Sequence, residues 1–250
     1  MRSESDDEQS GGGCGGLFTT THWSVVLRAG QEKSPRAAAA LEQLCRTYWY
    51  PLYVYARRHG HGPEDAEDLV QGFFLQLLRG RTLAAVDPHK GLFRSFLLAG
   101  LKYYMADCRD KACSQKRGGG QAALPFDVSN GETRYVKEPK DNLSPDKIYE
   151  RQWVMALLEQ VLARLALEYK ESDKAEHFAG LRQFLVEGGR GTPYAEVGAQ
   201  LGLTEEAVKK AVQRLRQRYG ELIREELTHT LTSPTQVEEE LRYLHAIMAG

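Results

Sequence analysis

The chain has 250 residues, 42% of them hydrophobic, and its 33 Lys and Arg against 34 Asp and Glu leave a formal net charge of -1. That is enough apolar material for one or two domains with real cores, and too balanced a charge for a polycation, so any affinity for DNA must come from local basic surfaces or from a partner. No apolar run approaches the roughly 18 residues of a membrane-spanning helix, the acidic start is unlike a signal peptide, and Cys14, Cys45, Cys108 and Cys113 form no CxxC pair, so a soluble, reduced, cytoplasmic chain without metal or other cofactor is expected.

Residues 1–16, acidic and then glycine-rich, are expected to form a disordered tail. In the following segment Thr21 can cap a short helix that begins at His22 or Trp23; His22, with no partner at metal-ligand spacing, reads as a surface or capping residue. From Arg36 to Gly60 the pattern is a long helix with Leu41, Leu44, Cys45, Tyr48, Leu52, Tyr55 and Ala56 on one face, which Pro51 should kink or restart. Pro63 opens the next helix. Glu64, Asp65, Glu67 and Asp68 crowd its first two turns, and Ala66, Leu69, Val70, Phe73, Phe74, Leu77 and Leu78 form its apolar stripe. With no nucleophile or histidine nearby, those carboxylates read as caps or a docking face rather than as acid–base catalysts.

After a loop from Gly80 to Gly91, the residues Phe93, Leu97, Gly100, Leu101, Tyr104 and Cys108 define another helix face, with Arg94, Lys102, Arg109 and Lys111 mostly elsewhere among Phe96, Tyr103 and Tyr104. Cations interleaved with aromatics suit single-stranded nucleic acid, because cations follow phosphates while rings stack on bases. Core aromatics with a solvated cationic edge would read the same. Lys116 to Lys147, broken by Gly118 to Gly120, Pro125, Asn130-Gly131 and Pro139, is expected to be a flexible linker. Ser144-Pro145 then starts a helix with Ile148, Val154, Leu157, Leu158, Val161, Leu162 and Leu165 as its stripe, and Phe178, Leu181, Leu185 and Val186 mark another before Gly188-Gly189.

Thr192 to Tyr219 reads as helix, glycine turn, helix. Thr192 can cap the first helix, Pro193 suits its first turn, and Val197 and Leu201 give it an apolar side. Gly202 supplies the turn, and Thr204, Glu205 and Glu206 favour the start of the second helix. Val208, Ala211, Val212, Leu215 and Tyr219 form its stripe, leaving Glu206, Lys209, Lys210, Gln213, Arg214 and Gln217 on the opposite face. Two helices so joined are the layout of a helix-turn-helix, whose second helix enters a major groove where such side chains bond base edges. Lys210 and Gln213 are the expected base readers, with Arg214 and Arg216 contacting phosphate or another protein; an ordinary helical hairpin with a solvated basic face is the alternative. Ser233 to Gln236 is a capping box for a last helix carrying Val237, Leu241, Leu244 and Ile247. With no convincing strand, the expected fold class is all-α.

EDAEDLVQGFFLQLL from Glu64, VDPHKGLFRSFLLAGLKYYMADCRDK from Val86 and YAEVGAQLGLTEEAVKKAVQRLRQR from Tyr194, in that order, resemble regions 2 and 4 of bacterial sigma-70 family factors of the extracytoplasmic-function type. The opening THWSVVL and the tail from Arg224 are similar to a subgroup of planctomycetes and related bacteria. The resemblance implies two helical modules, residues 17–116 (region 2) and 144–228 (region 4), a linker at 117–143 and an extension at 229–250. It implies that Asp65, Asp68, Gln71 and Gln76 bind core RNA polymerase, although many members carry an acidic residue where this chain has Gly72. It further implies that Asp87, His89 and Lys90 of the loop and Arg94, Lys102, Tyr103, Asp107 and Arg109 of the helix engage the downstream promoter element and open it, and that the helix-turn-helix reads the upstream element. The linker would thread toward the RNA path of the polymerase. The implied partners are core polymerase and promoter DNA, with room for an anti-sigma protein and none for a membrane. A promoter-specificity subunit with no enzymatic activity is therefore expected. The competing readings are a free-standing helix-turn-helix regulator with an N-terminal sensing or dimerisation module, and a helical enzyme using the Glu64 to Asp68 carboxylates.

Overall fold

The structure is a computed structural model that describes residues 35–79, 91–114, 131–137, 143–186, 192–228, 231 and 234–249. Among the described residues every regular element is an α-helix: α1 Pro35–Arg58, α2 Pro63–Arg79, α3 Phe93–Ser114, α4 Gly131–Val136, α5 Pro145–Glu171, α6 Ala175–Leu181, α7 Gln183–Val186, α8 Tyr194–Leu201, α9 Glu205–Thr228 and α10 Pro234–Ala249. The chain is all-α. None of these helices is long and apolar enough to cross a membrane. The N-terminal tail, the segment around His22 and Trp23, and Ser233 of the expected capping box lie outside the described residues.

Helix α1 is the axis of the N-terminal part. Leu52, Tyr53, Val54, Tyr55 and Ala56 are consecutive and so point around the whole circumference, yet none is more than 2% exposed. A helix buried on all sides needs neighbours on all sides, which α2, α3, α4 and α5 supply. This corrects the one-face stripe expected from periodicity, which omitted Tyr53 and Val54. Nor does Pro51 split α1, which continues through it. Helices α2 and α3 approach closely because glycine stands at two crossing points: a Cβ on Gly72 would lie 2.2 Å from the Tyr104 hydroxyl oxygen, and one on Gly100 would lie 3.0 Å from the Phe73 ring.

Helix α5 starts where Ser144 Oγ accepts the Lys147 N–H at 3.4 Å, with Pro145 in the first turn. Its 27 residues span about 40 Å. From its start past its middle it packs on α1 and α3: Tyr149 lies edge-on to Tyr55 at 6.5 Å, its hydroxyl donates to the Arg94 carbonyl at 2.9 Å, and Gln160 donates to Thr47 at 3.1 Å. From its middle onward it also packs on α9, where the Tyr219 hydroxyl donates to the Leu158 carbonyl at 3.2 Å. One connected core thus runs from Cys45 through Leu157 and Leu165 to Leu215. Helix α5 belongs to both packings, because Tyr149 and Trp153 extend its buried surface beyond the expected stripe.

The linker also holds structure. Helix α4 lies within it, docked on α1: Gly131 sits so close that a Cβ would fall 2.5 Å from the Trp49 ring. Glu132 accepts from the Tyr53 hydroxyl and from Arg57 Nε at 3.0 Å and Nη2 at 2.8 Å. Arg134 lies over the Tyr50 ring at 4.2 Å and pairs with Glu159 at 3.1 Å. Residues 115–130 and 138–142 lie outside the described residues.

Candidate nucleic-acid interface

The turn between α8 and α9 is built from backbone geometry. Gly202 has φ +66, the left-handed conformation that ends α8, and the Leu203 N–H bonds the Gly198 carbonyl at 2.8 Å. Gly198 is needed there too, since a Cβ on it would stand 2.6 Å from the Leu203 carbonyl oxygen, which is backbone and cannot swing aside. Thr204 Oγ1 accepts the Ala207 N–H at 3.2 Å, capping α9 as expected. Thr192 does not cap α8: Pro193 takes the cap position with an extended backbone and no side-chain bond, because its ring already fixes the entry angle.

Val197 of α8 and Val208, Val212 and Leu215 of α9 are buried, and the other face of α9 is open. Glu206, Lys209, Lys210, Gln213, Arg214 and Gln217 are all exposed. They are not equivalent. Lys209 pairs with Glu205 at 2.7 Å, and that bond raises its pKa; Gln217 donates to Glu221 at 3.0 Å. Lys210 and Gln213 have no hydrogen bond or ion pair within the described residues. Arg214 borders a groove of about 470 Å3 with Tyr169, His177 and Leu203. Arg216 donates to the Phe184 carbonyl at 3.1 Å, and so fastens α7 to α9.

Behind this face α9 is clamped to α5. Arg218 makes a two-pronged contact with Glu168, Nε to Oε2 at 2.9 Å and Nη2 to Oε1 at 2.8 Å, and also donates to Glu225 at 3.0 Å. Arg164 donates to Glu225 at 2.6 Å and to the buried Glu226 at 3.1 Å. Burial alone would raise the Glu225 pKa, but the bonds from Arg218 and Arg164 outweigh it and hold the carboxyl below its ordinary range. The alternation of Arg218 with Glu221 and Glu225, three and seven residues on, was the signal in the sequence for this clamp.

The second surface is α3. Asp87, His89 and Lys90 lie outside the described residues. Tyr103 is 73% exposed, Arg109 is exposed with Nε on the Met105 carbonyl at 3.4 Å, and Asp107 is half-buried. Lys102 is ion-paired with Asp146 in the first turn of α5. Arg94 departs furthest from expectation. It is only 5% exposed, with Nη1 2.6 Å from Glu240 Oε1 of α10 and its guanidinium 4.3 Å from the Trp153 ring centre. It is therefore almost wholly removed from solvent, and the expectation of an exposed cation here is corrected: its partners come from α5 and α10, far off in sequence.

The third surface is α2. Asp65, Asp68 and Gln76 are exposed and Gln71 is half-buried. A groove of about 320 Å3 has Asp65, Asp68 and Leu69 on one wall and Tyr104, Met105 and Arg109 on the other. The Glu67 carboxyl is raised above its ordinary range by burial and then by Asp68, Glu132 and Glu64, which marks a surplus of negative charge on this helix. Gly72 cannot be acidic here without displacing Tyr104, whose hydroxyl is pushed up to about 12 by burial and by its bond with Cys108. No group of three His, Cys, Asp or Glu among the described residues could hold a metal ion. Comparison of the chain with protein-family models, with curated proteins and with solved structures finds no match.

Proposed function

We propose that the chain is a promoter-specificity subunit of a bacterial RNA polymerase, a cytoplasmic protein that binds the core enzyme, reads promoter DNA and catalyses nothing itself. The observation that carries this reading is α9, which exposes Lys210 and Gln213 without intramolecular partners while its opposite face is buried and its C-terminal half is clamped to α5. A recognition helix needs that combination, because base readout requires free donors and acceptors on a rigid support. Tyr103 and Arg109 on α3 suit contacts to an opened strand. The acidic exposed edge of α2, with Asp65, Asp68, Gln71 and Gln76, suits a cationic protein surface. With a net charge of -1 the chain alone gains little general affinity for a duplex, which agrees with a subunit held on DNA by its polymerase.

A free-standing helix-turn-helix regulator is the second reading. It is favoured by the continuity of the core through α5, which would carry an event at the N-terminal helices to α9. Capture of purified core polymerase by the immobilised chain separates the two. The parent should retain polymerase, and the Asp68→Arg, Gln71→Arg double variant should lose it with helix content unchanged. Equal capture by the folded variant removes α2 as the docking element; no capture by the parent, together with a shifted promoter duplex, leaves the regulator.

A further inference from the structure

Arg94 lies on α3, the helix whose Tyr103 and Arg109 the proposed function assigns to the opened strand, and the sequence leads one to expect it there too, yet α10 covers it. Glu240 Oε1 stands 2.6 Å from its Nη1, the Trp153 ring lies 4.3 Å below the guanidinium, and the Tyr243 ring centre lies 5.5 Å away. Glu240 and Tyr243 are one helical turn apart on α10, so an anion and an aromatic plane reach the same guanidinium together. A nucleotide in a single strand offers the same two groups, a phosphodiester and a base. We propose that α10 is a built-in nucleotide mimic: Glu240 stands in for a phosphate and Tyr243 for a base, and single-stranded nucleic acid reaches Arg94 by displacing them.

The mimic is an imperfect one. Arg94 Nε and Glu240 Oε1 are buried without a hydrogen-bond partner, so the contact is a close ion pair with poor alignment. Buried donors and acceptors left unmade weaken the hold, and a phosphodiester with two free oxygens satisfies what a misaligned carboxylate leaves open. Displacement releases α10 from its packing on α5 and α9. Helix α10 is anchored by Val237 and Leu244, and Tyr243 remains 39% exposed, so an incoming base can begin at that edge.

The proposal rests on the reading of α3 as a strand-binding helix, and it is tested without polymerase. The full chain is titrated against fluorescein-labelled dodecathymidylate at low salt, and hydrogen exchange of residues 234–249 reports on α10. Glu240→Gln and, independently, Tyr243→Ala should speed exchange across α10 and tighten oligonucleotide binding about five- to tenfold. Arg94→Gln added to Glu240→Gln should cancel the gain, and saturating oligonucleotide should raise α10 exchange in the parent. The mimic is overturned if faster exchange comes with unchanged affinity, if neither substitution alters exchange, if the gain survives loss of Arg94, or if no variant binds the oligonucleotide. Capture of core polymerase by the parent is scored separately: its absence, beside an Arg94-dependent gain, fails the subunit reading and keeps the mimic.

Discussion

Lys209 and Lys210 are adjacent in sequence and differ in what they are free to do. Lys209 is held by Glu205 at 2.7 Å, whereas Lys210 is exposed and unpaired among the described residues. A cation that must break an existing bond before it meets DNA gains less than one that need not. Lys210→Ala and Gln213→Ala should each lose about 1 to 3 kcal/mol on promoters carrying the base they read, and less where that base is changed. Lys209→Ala should weaken all sequences alike. Transcription by reconstituted holoenzyme from a library randomised in the upstream element checks this, and identical base preferences in parent and in both alanine variants would refute readout by α9. That Lys210 and Gln213 are open was legible from the spacing of Val208, Val212 and Leu215, since what lies off a buried stripe is exposed. The burial of Arg94 was not legible, because nothing local to Arg94 encodes Glu240 or Tyr243.

Helix α4 has six residues, too few to be stable alone, so its docking on α1 depends on side chains. Burial would raise the Glu132 pKa, but the hydrogen bonds from Tyr53 and Arg57 outweigh it and hold the carboxyl below its ordinary value of 4.5. A carboxyl depressed in the fold contributes stability above its unfolded pKa and loses it as pH falls through the folded one. The α4 contact should therefore be intact at neutral pH and released only as pH falls below the ordinary carboxylate range, read as a change in the fluorescence of Trp49, which stacks on Tyr53 at 5.0 Å. Glu132→Gln should remove this acid step and weaken docking by about 1 to 3 kcal/mol at neutral pH, where the parent carboxylate is ionised; an unchanged acid profile would show that another carboxyl controls it. The sequence signalled turns here with Asn130-Gly131 and Pro139, and those cues outweighed a helix whose stability comes from residues more than seventy positions away. Helix α1 was hidden differently: periodicity finds one-sided helices, and a helix buried all round has no polar face to mark it.

Across the whole molecule α5 decides the architecture. Its start, its capping serine and most of its stripe were readable, but not that it packs on α1 and on α9 alike; two clusters of helices separated by a polar stretch read as two modules, and Tyr149, Trp153 and Gln160 of α5 pack against the first of them. A shared core should unfold as one unit. Denaturant unfolding followed by far-ultraviolet dichroism and by hydrogen exchange of α1 and α9 should give one coincident transition, and two separated transitions would mean that α5 belongs energetically to one side only. Helix α5 is also a ruler. Its ends are about 40 Å apart, with the Lys102 to Asp146 pair near one and the Arg218 to Glu168 contact near the other. While both packings hold, the separation between the surfaces of α3 and α9 is fixed and cannot stretch to suit a longer spacer in DNA. It changes only when one packing lets go of α5 altogether, so the free protein has a single gauge length and tolerance for other spacings begins only on release.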